Sequence, residues 1–162
     1  MASQRRLKLP DAGSRAPDFR LAGLEGGEIP LAEIAARGPA VLVFFKVTCP
    51  VCQMALPFLE RLHAAGTLPV FGISQNDASD TREFMREFQV TFPMLLDREE
   101  DSFPTSNAYG ISSVPTIFVL ERDGTLSRVI EGWQKSEMER LGALAGVAVF
   151  RAGDNVPAWK AG

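Results

Sequence analysis

The sequence predicts an α/β fold in which a mixed central sheet is flanked by helices. Three observations lead to this class: continuous apolar runs typical of strands buried on both faces, stretches of helical apolar periodicity between them, and a hairpin pattern near the end. The order strand, helix, strand, helix, strand, hairpin and helix builds such a sheet. A length of 162 residues with 46% hydrophobic content suits one domain with a substantial core.

The first half of the chain predicts two strands, each followed by a helix. A short strand is expected at residues 19–21, and a glycine-rich turn then leads to a helix over 30–37. The run AVLVFFK, residues 40–46, predicts a central strand that is buried on both faces. From 50 to 65, apolar residues recur at the spacing of one helical face, which predicts a second helix.

The second half predicts the rest of the sheet. Strands are expected at 68–74 and 93–97, with a helix between them that begins after Asp and Ser caps within residues 76–90. The stretch from 115 to 132 predicts a hairpin that turns at Asp123 and Gly124.

The ends of the chain are predicted to lie outside the folded domain. Residues 1–15 are expected as an N-terminal extension, and 16–150 as the domain, which closes with a helix over 135–144. Residues 151–162 are rich in Gly and Ala and are expected as a frayed C-terminal tail, with the Trp159 indole as the one group that could dock on the domain.

Composition narrows the classes of function. The formal net charge is -3 and basic residues are scattered among acidic ones, so there is no basic stripe for nucleic acid. No apolar run approaches the about 20 residues that span a bilayer. The first residues lack the apolar region of a secretory signal. We therefore expect a cytoplasmic monomer, or a periplasmic or exported protein if a signal or anchor segment has been removed.

The chemistry-bearing motif is C-P-V-C, which holds both cysteines, Cys49 and Cys52. It lies where the predicted central strand passes into the next helix, at the sheet edge where α/β folds place their chemistry. With Cys49 as the helix N-cap and Pro50 at the first helical position, the Cys49 sulfur faces free backbone N–H groups and the positive end of the helix dipole. Both features stabilise a thiolate. Cys52, three residues later, lies on nearly the same side of the helix.

The pair could be a redox dithiol, part of a metal site, or two small buried hydrophobic residues. A C-x-x-C motif after a strand favours a dithiol in which Cys49 attacks and Cys52 resolves. Zinc wants about four ligands, and His63, the only other soft ligand, would lie about 16 Å from Cys52 along the helix. No metal or organic cofactor is therefore expected. Lys46, at the strand end, either adds positive potential near Cys49 or is an ordinary exposed lysine.

The stretch SSVPT carries a second motif. Pro115 enters a buried strand, which a cis Val114–Pro115 bond would explain. Together with APDF at 16–19, VLVFFKVTCPVC and GTLSRVIEG, these residues resemble the thioredoxin-fold superfamily, and more closely its TlpA/ResA-like thiol-disulfide oxidoreductases, which are related to the AhpC/TSA proteins. The resemblance implies a thioredoxin-like sheet with an N-terminal strand extension and an extra helix and strand inserted at residues 74–97.

The resemblance also implies roles for particular residues. Cys49 would be the exposed nucleophile, Cys52 the buried resolving thiol, and Pro115 a cis-proline packed against the pair. Val114 would offer its backbone to an extended substrate. The remaining candidate supporting residues are Lys46, Thr48, Pro50 and Val51. The partners would be protein or small-molecule disulfides or thiols, together with a reducing system.

Two positions depart from the thioredoxin pattern. Thioredoxins usually carry tryptophan just before the first cysteine, where this chain has Thr48. They also carry a buried acid six residues before that cysteine, where this chain has Val43. The sequence therefore leaves the proton acceptor for Cys52 open.

The alternative function is a peroxiredoxin-like thiol peroxidase. Peroxiredoxins share the APDF start and the insertion, and their peroxidatic motif resembles T-P-V-C. Aligned in that way, Cys52 becomes the peroxidatic residue and Cys49 stands where threonine is usual. We favour dithiol exchange because C-x-x-C has a mechanism of its own.

Overall fold

Residues 8–162, the part of the chain that the computed structural model describes, form nine strands and five α-helices. The strands are β1 (Arg20–Gly23), β2 (Glu28–Pro30), β3 (Ala40–Phe45), β4 (Val70–Ser74), β5 (Met94–Leu96), β6 (Thr116–Leu120), β7 (Leu126–Glu131), β8 (Trp133–Gln134) and β9 (Trp159–Lys160). The helices are α1 (Leu31–Ala36), α2 (Pro50–Ala64), α3 (Ala78–Phe88), α4 (Pro104–Ala108) and α5 (Lys135–Ala145), and a short 3₁₀ helix covers Glu99–Asp101.

Seven of the strands form one mixed sheet in the order β2-β1-β5-β4-β3-β6-β7. Strands β3, β4 and β5 run parallel, whereas β6 pairs antiparallel with β3 and β7 antiparallel with β6. This arrangement confirms the predicted mixed sheet. The predicted N-terminal strand extension is the β1–β2 pair at one edge, and the inserted helix and strand are α3 and β5.

The centre of the sheet is buried because its strands have no polar face. Every residue of β3 and β4 is buried, as their continuous apolar runs predict. Next to β3, the Tyr109 ring packs against Phe44 and Phe118, with centroid distances of 5.1 and 5.4 Å. The end of β3, which leads directly into the cysteine motif, is thus packed among aromatic rings.

The structure differs from the sequence predictions at both ends. Strand β2 lies within a stretch that predicts only a turn and the start of a helix, because three residues are too few to show a period-2 pattern. The predicted fraying of the tail is wrong: β9 pairs antiparallel with β8. The Trp159 side chain is 64% exposed, so its indole does not dock into the domain.

The remaining predicted elements are found within a few residues of their expected limits. The hairpin turns at Asp123 and Gly124 between β6 and β7, and α5 follows it. Residues 1–7 of the predicted extension lie outside the described residues, while the Arg15 backbone forms a bridge with Thr125. Within residues 8–162, no helix has the length and apolarity needed to cross a bilayer.

Candidate active site

Helix α2 begins as the motif predicts. Cys49 is the N-cap residue, with φ -81° and ψ 116°, and Pro50 is the first helical residue. The backbone N–H of Cys52 donates to the Cys49 sulfur at 3.3 Å. The Cys49 N–H donates to the carbonyl of Lys46 at 3.2 Å, which closes a turn over residues 46–49. This turn, called the cysteine turn below, holds the Cys49 sulfur at the positive end of the helix.

The two thiols have different surroundings. Both are free, but Cys49 is half-buried whereas Cys52 is fully buried at 0% exposure. Burial raises the pKa of the Cys52 thiol far above its ordinary value, and a hydrogen bond with the Cys49 side chain raises it further. A partner molecule can therefore reach Cys49, while the Cys52 thiol is protonated and shielded from solvent.

The loop before β6 lies against the cysteine turn. Strand β6 pairs antiparallel with β3, with Thr116 opposite Phe44, so the residues before Thr116 meet those after β3. The Val114–Pro115 peptide bond is cis. The carbonyl of Val114 accepts a hydrogen bond from the Cys49 thiol at 3.4 Å. Sheet topology thus joins two motifs that lie 65 residues apart in the sequence.

The cysteine turn is held by two side chains that the sequence analysis missed. Asn76 Oδ1 accepts the backbone N–H of Val47 at 3.0 Å, and Gln53 Nε2 donates to the Val47 carbonyl at 2.9 Å. The Asn76 N–H in turn donates to the Ser74 hydroxyl, which bonds the Thr81 hydroxyl at 2.7 Å. The position of Asn76 just after a strand parallel to β3 is a signal that could have indicated it.

A polar cleft of about 180 Å³ adjoins the two motifs. Lys46 and Val114 both line it, so these two predicted residues share one space. The other lining residues are Gln75, Phe103, Ser106, Asn107, Ile111, Ser112 and Ser113. The cleft offers room for a substrate group next to Val114, whose carbonyl contacts the Cys49 thiol.

The other candidate residues are close neighbours of Cys49 in sequence. Thr48, Pro50 and Lys46 are exposed, and Val51 is half-buried. Val43, at the position of the thioredoxin acid, is fully buried in β3.

His63 has a structural contact rather than one with the cysteines. Its Nδ1 accepts the backbone N–H of Val70, the first residue of β4, at 3.0 Å. In the described part of the chain, no group of three or more His, Cys, Asp or Glu side chains is arranged to hold a metal ion.

Comparison with known proteins identifies the family of this chain. The model of the AhpC/TSA family matches residues 12–129, which is most of the chain. The chain belongs to the AhpC/TSA family. The thiol-disulfide oxidoreductase ResA of Geobacillus thermodenitrificans (strain NG80-2) is 29% identical over 129 residues, which are 77% of this chain and 72% of that protein.

Solved structures agree on the fold. A thiol:disulfide interchange protein from Bacteroides sp. superposes with a TM-score of 0.74 at 18% identity, over 88% of this chain and 94% of that one. The thioredoxin domain of a thiol-disulfide oxidoreductase from Bacteroides vulgatus gives 0.69 at 19% identity, over 76% and 91%. The fold of this AhpC/TSA protein is therefore thioredoxin-like, as the sequence predicts.

Proposed function

We propose that this protein is a thiol-disulfide oxidoreductase in which Cys49 attacks and Cys52 resolves. The observation that carries the proposal is the asymmetry of the pair. Cys49 is accessible at the start of α2, with a backbone N–H aimed at its sulfur, whereas Cys52 is fully buried behind it. The names of the ResA relatives support the same class of reaction.

The reaction is a two-step exchange in which a disulfide is reduced and the dithiol is oxidised. The Cys49 thiolate attacks one sulfur of the substrate disulfide, forms a mixed disulfide and releases the other sulfur as a thiolate, which takes up a proton. Cys52 then loses its proton and attacks the Cys49 sulfur. The second substrate thiol leaves, and two electrons have passed from the protein to the substrate. A reducing system would restore the dithiol.

The cis-proline loop is assigned the role of holding the substrate. Val114 lies beside the Cys49 sulfur, and its backbone can pair with an extended chain irrespective of the side chains of that chain. Lys46 lines the same cleft as Val114 and brings positive charge to it. Thr48, Pro50 and Val51 form the surface around the sulfur that a partner meets.

The geometry favours this assignment over a peroxidase. A peroxidatic cysteine must present a thiolate to peroxide. Cys52 would take that role in the peroxiredoxin alignment, but it is fully buried and its pKa is raised by burial.

The direction of exchange depends on the compartment. If the chain works in the cytoplasm, the protein acts as a reductant, because that compartment keeps thiols reduced. The partners that fit the proposal are disulfide-bearing proteins or small disulfides, with no organic cofactor in the reaction.

The test compares the reduced protein with its Cys49→Ser and Cys52→Ser variants, each mixed separately with a small disulfide and with hydrogen peroxide. Cys49→Ser should abolish reaction with the disulfide, because the attacking sulfur is gone. Cys52→Ser should keep the first step and accumulate a mixed disulfide on Cys49, visible as a mass increase. Rapid peroxide consumption that is lost in Cys52→Ser and kept in Cys49→Ser would instead establish the peroxidase.

A further inference from the structure

Residues 154–162, called the tail segment below, are attached along the side of the domain that leads to the active site. Asp154 accepts from Arg61 of α2 at 2.7 Å. Further along, the Pro157 carbonyl accepts from the indole N–H of Trp133 at 2.7 Å. The Ala158 carbonyl then accepts the N–H of Lys135 at 2.9 Å. These bonds give the tail segment one defined path.

The tail segment next runs beside Gly132, whose backbone is bonded to the cis-proline loop. In the β8–β9 pair, Lys160 stands opposite Trp133. Gly132, just before β8, has φ +68°, and a β-carbon there would lie 2.5 Å from the Lys160 carbonyl oxygen. The Gly132 N–H donates to the Pro115 carbonyl at 2.8 Å. Gly132 is thus a glycine by necessity, since backbone lies close to it on both sides.

The tail segment then reaches Val114 itself. A β-carbon at Gly162 would lie 2.5 Å from the carbonyl oxygen of Val114 and 2.9 Å from its carbonyl carbon. The same oxygen accepts the hydrogen bond from the Cys49 thiol. The backbone of Gly162 therefore lies in direct contact with the group that the proposed function assigns to the substrate backbone.

We propose that residues 159–162 are an intramolecular cover of the substrate-strand position at Val114. The inference rests on the proposed function. Residues 159–162 must leave before an extended polypeptide can pair with the Val114 backbone, because two chains cannot occupy one place. A small disulfide needs only the Cys49 sulfur and reacts with the cover in position. The cover thus sets specificity between polypeptide and small substrates.

The contacts also show why the cover can leave. Residues 158–162 are all exposed, and β9 is only two residues long. A two-residue strand such as β9, with both of its side chains exposed, opens far more easily than the core of the sheet. Only the open fraction of molecules binds a polypeptide, so the cover lowers apparent affinity by that fraction.

The experiment measures rate constants for the reduced protein with two probes. One is a short peptide whose single cysteine is linked by a disulfide to a small thiol, and the other is 2-hydroxyethyl disulfide. A variant that stops after Ala158 keeps the hydrogen bonds that Asp154, Pro157 and Ala158 accept from the domain, but it lacks the cover. Its rate constant with the peptide should rise by about fivefold to tenfold, while that with 2-hydroxyethyl disulfide stays the same.

Two substitutions in the full chain complete the test. Gly162→Val places side-chain atoms where Val114 lies, so it should also raise the peptide rate. Lys160→Ala changes an exposed side chain and keeps the backbone path, so its peptide rate should match the parent chain. If removal of 159–162 leaves the ratio of the two rates unchanged, the cover does not exist. If the small disulfide reacts without needing Cys49, the proposed function fails instead.

Discussion

The cysteine turn, residues 46–49, carries the Cys49 sulfur, the tail segment, residues 154–162, reaches the Val114 carbonyl that this sulfur contacts, and different kinds of contact hold the two regions. The turn is bonded on both sides of Val47 by side chains from α2 and from the loop after β4. The tail segment ends in exposed residues that contact the domain through their backbone. The comparison teaches that side chains from within the domain fix the turn that carries the sulfur, whereas the Val114 backbone beside it is contacted by a segment held at the surface.

Removal of the Asn76 bond should have the largest effect on stability. Asn76→Leu leaves the partly buried N–H of Val47 without its partner, so the free energy of unfolding should fall by about 2 kcal/mol. Asn76→Asp keeps an oxygen acceptor in the same place and should recover most of that loss. Denaturant unfolding of the reduced protein measures both variants.

Asn155 offers a matched control for this change, because its side chain is exposed on the tail segment. Asn155→Leu should alter the free energy of unfolding by less than about 0.5 kcal/mol. Equal destabilisation by the two leucine variants would contradict the claimed difference between the turn and the tail segment.

The buried resolving thiol should make the reduced protein sensitive to alkaline pH. Burial raises the pKa of Cys52 above its ordinary 9.0, so the unfolded chain releases this proton at a pH where the folded chain still keeps it. The contribution of Cys52 to the free energy of unfolding is fully present below pH 9.0 and is lost progressively as the pH rises above that value. The loss should be about 1.4 kcal/mol per pH unit.

Unfolding of the reduced protein and of Cys52→Ala between pH 8 and about 10.5 measures this dependence. The difference between the two curves isolates Cys52, because every other titrating group is common to both. A difference that stays constant across the range would show that Cys52 is not shielded as described.

The smallest effect is expected at the anchor of the tail segment. The hydrogen bond from Arg61 holds the pKa of Asp154 below its ordinary 3.8, and the N–H of Arg151 adds to this. The bond stabilises the fold above pH 3.8 and is lost as the pH falls below that value and Asp154 becomes protonated. Asp154→Asn should therefore show a flatter acid limb in a plot of stability against pH.

Asp154→Asn also tests whether the cysteine turn is independent of the tail segment. Asp154→Asn should leave the reaction of Cys49 with a small disulfide unchanged, because the cysteine turn makes no bond to the tail segment. A slower reaction would mean that the anchor supports the sulfur and not only the tail segment.

The start of α2 could be predicted from the sequence because its causes are local. A continuous apolar run ends, a cysteine follows, and a proline occupies the first helical position. The cis Val114–Pro115 bond could be expected for a similar reason, as a proline enters a buried strand in sequence. The position of Asn76 just after a strand could mark it as a candidate, but its partner could not be predicted, because Val47 lies 29 residues earlier.

By itself, the sequence determined the order of the main strands and helices, the burial of β3 and β4, and the pairing of a capping cysteine with a second thiol three residues later. These properties follow from apolar periodicity and from residue conformations that act over a few positions. Only the tertiary structure decided which groups contact the cysteine turn and the cis-proline loop. The Val114 carbonyl, the Asn76 side chain and the Gly162 backbone come from distant segments. They meet because the sheet order places those segments together, and no local pattern encodes that proximity.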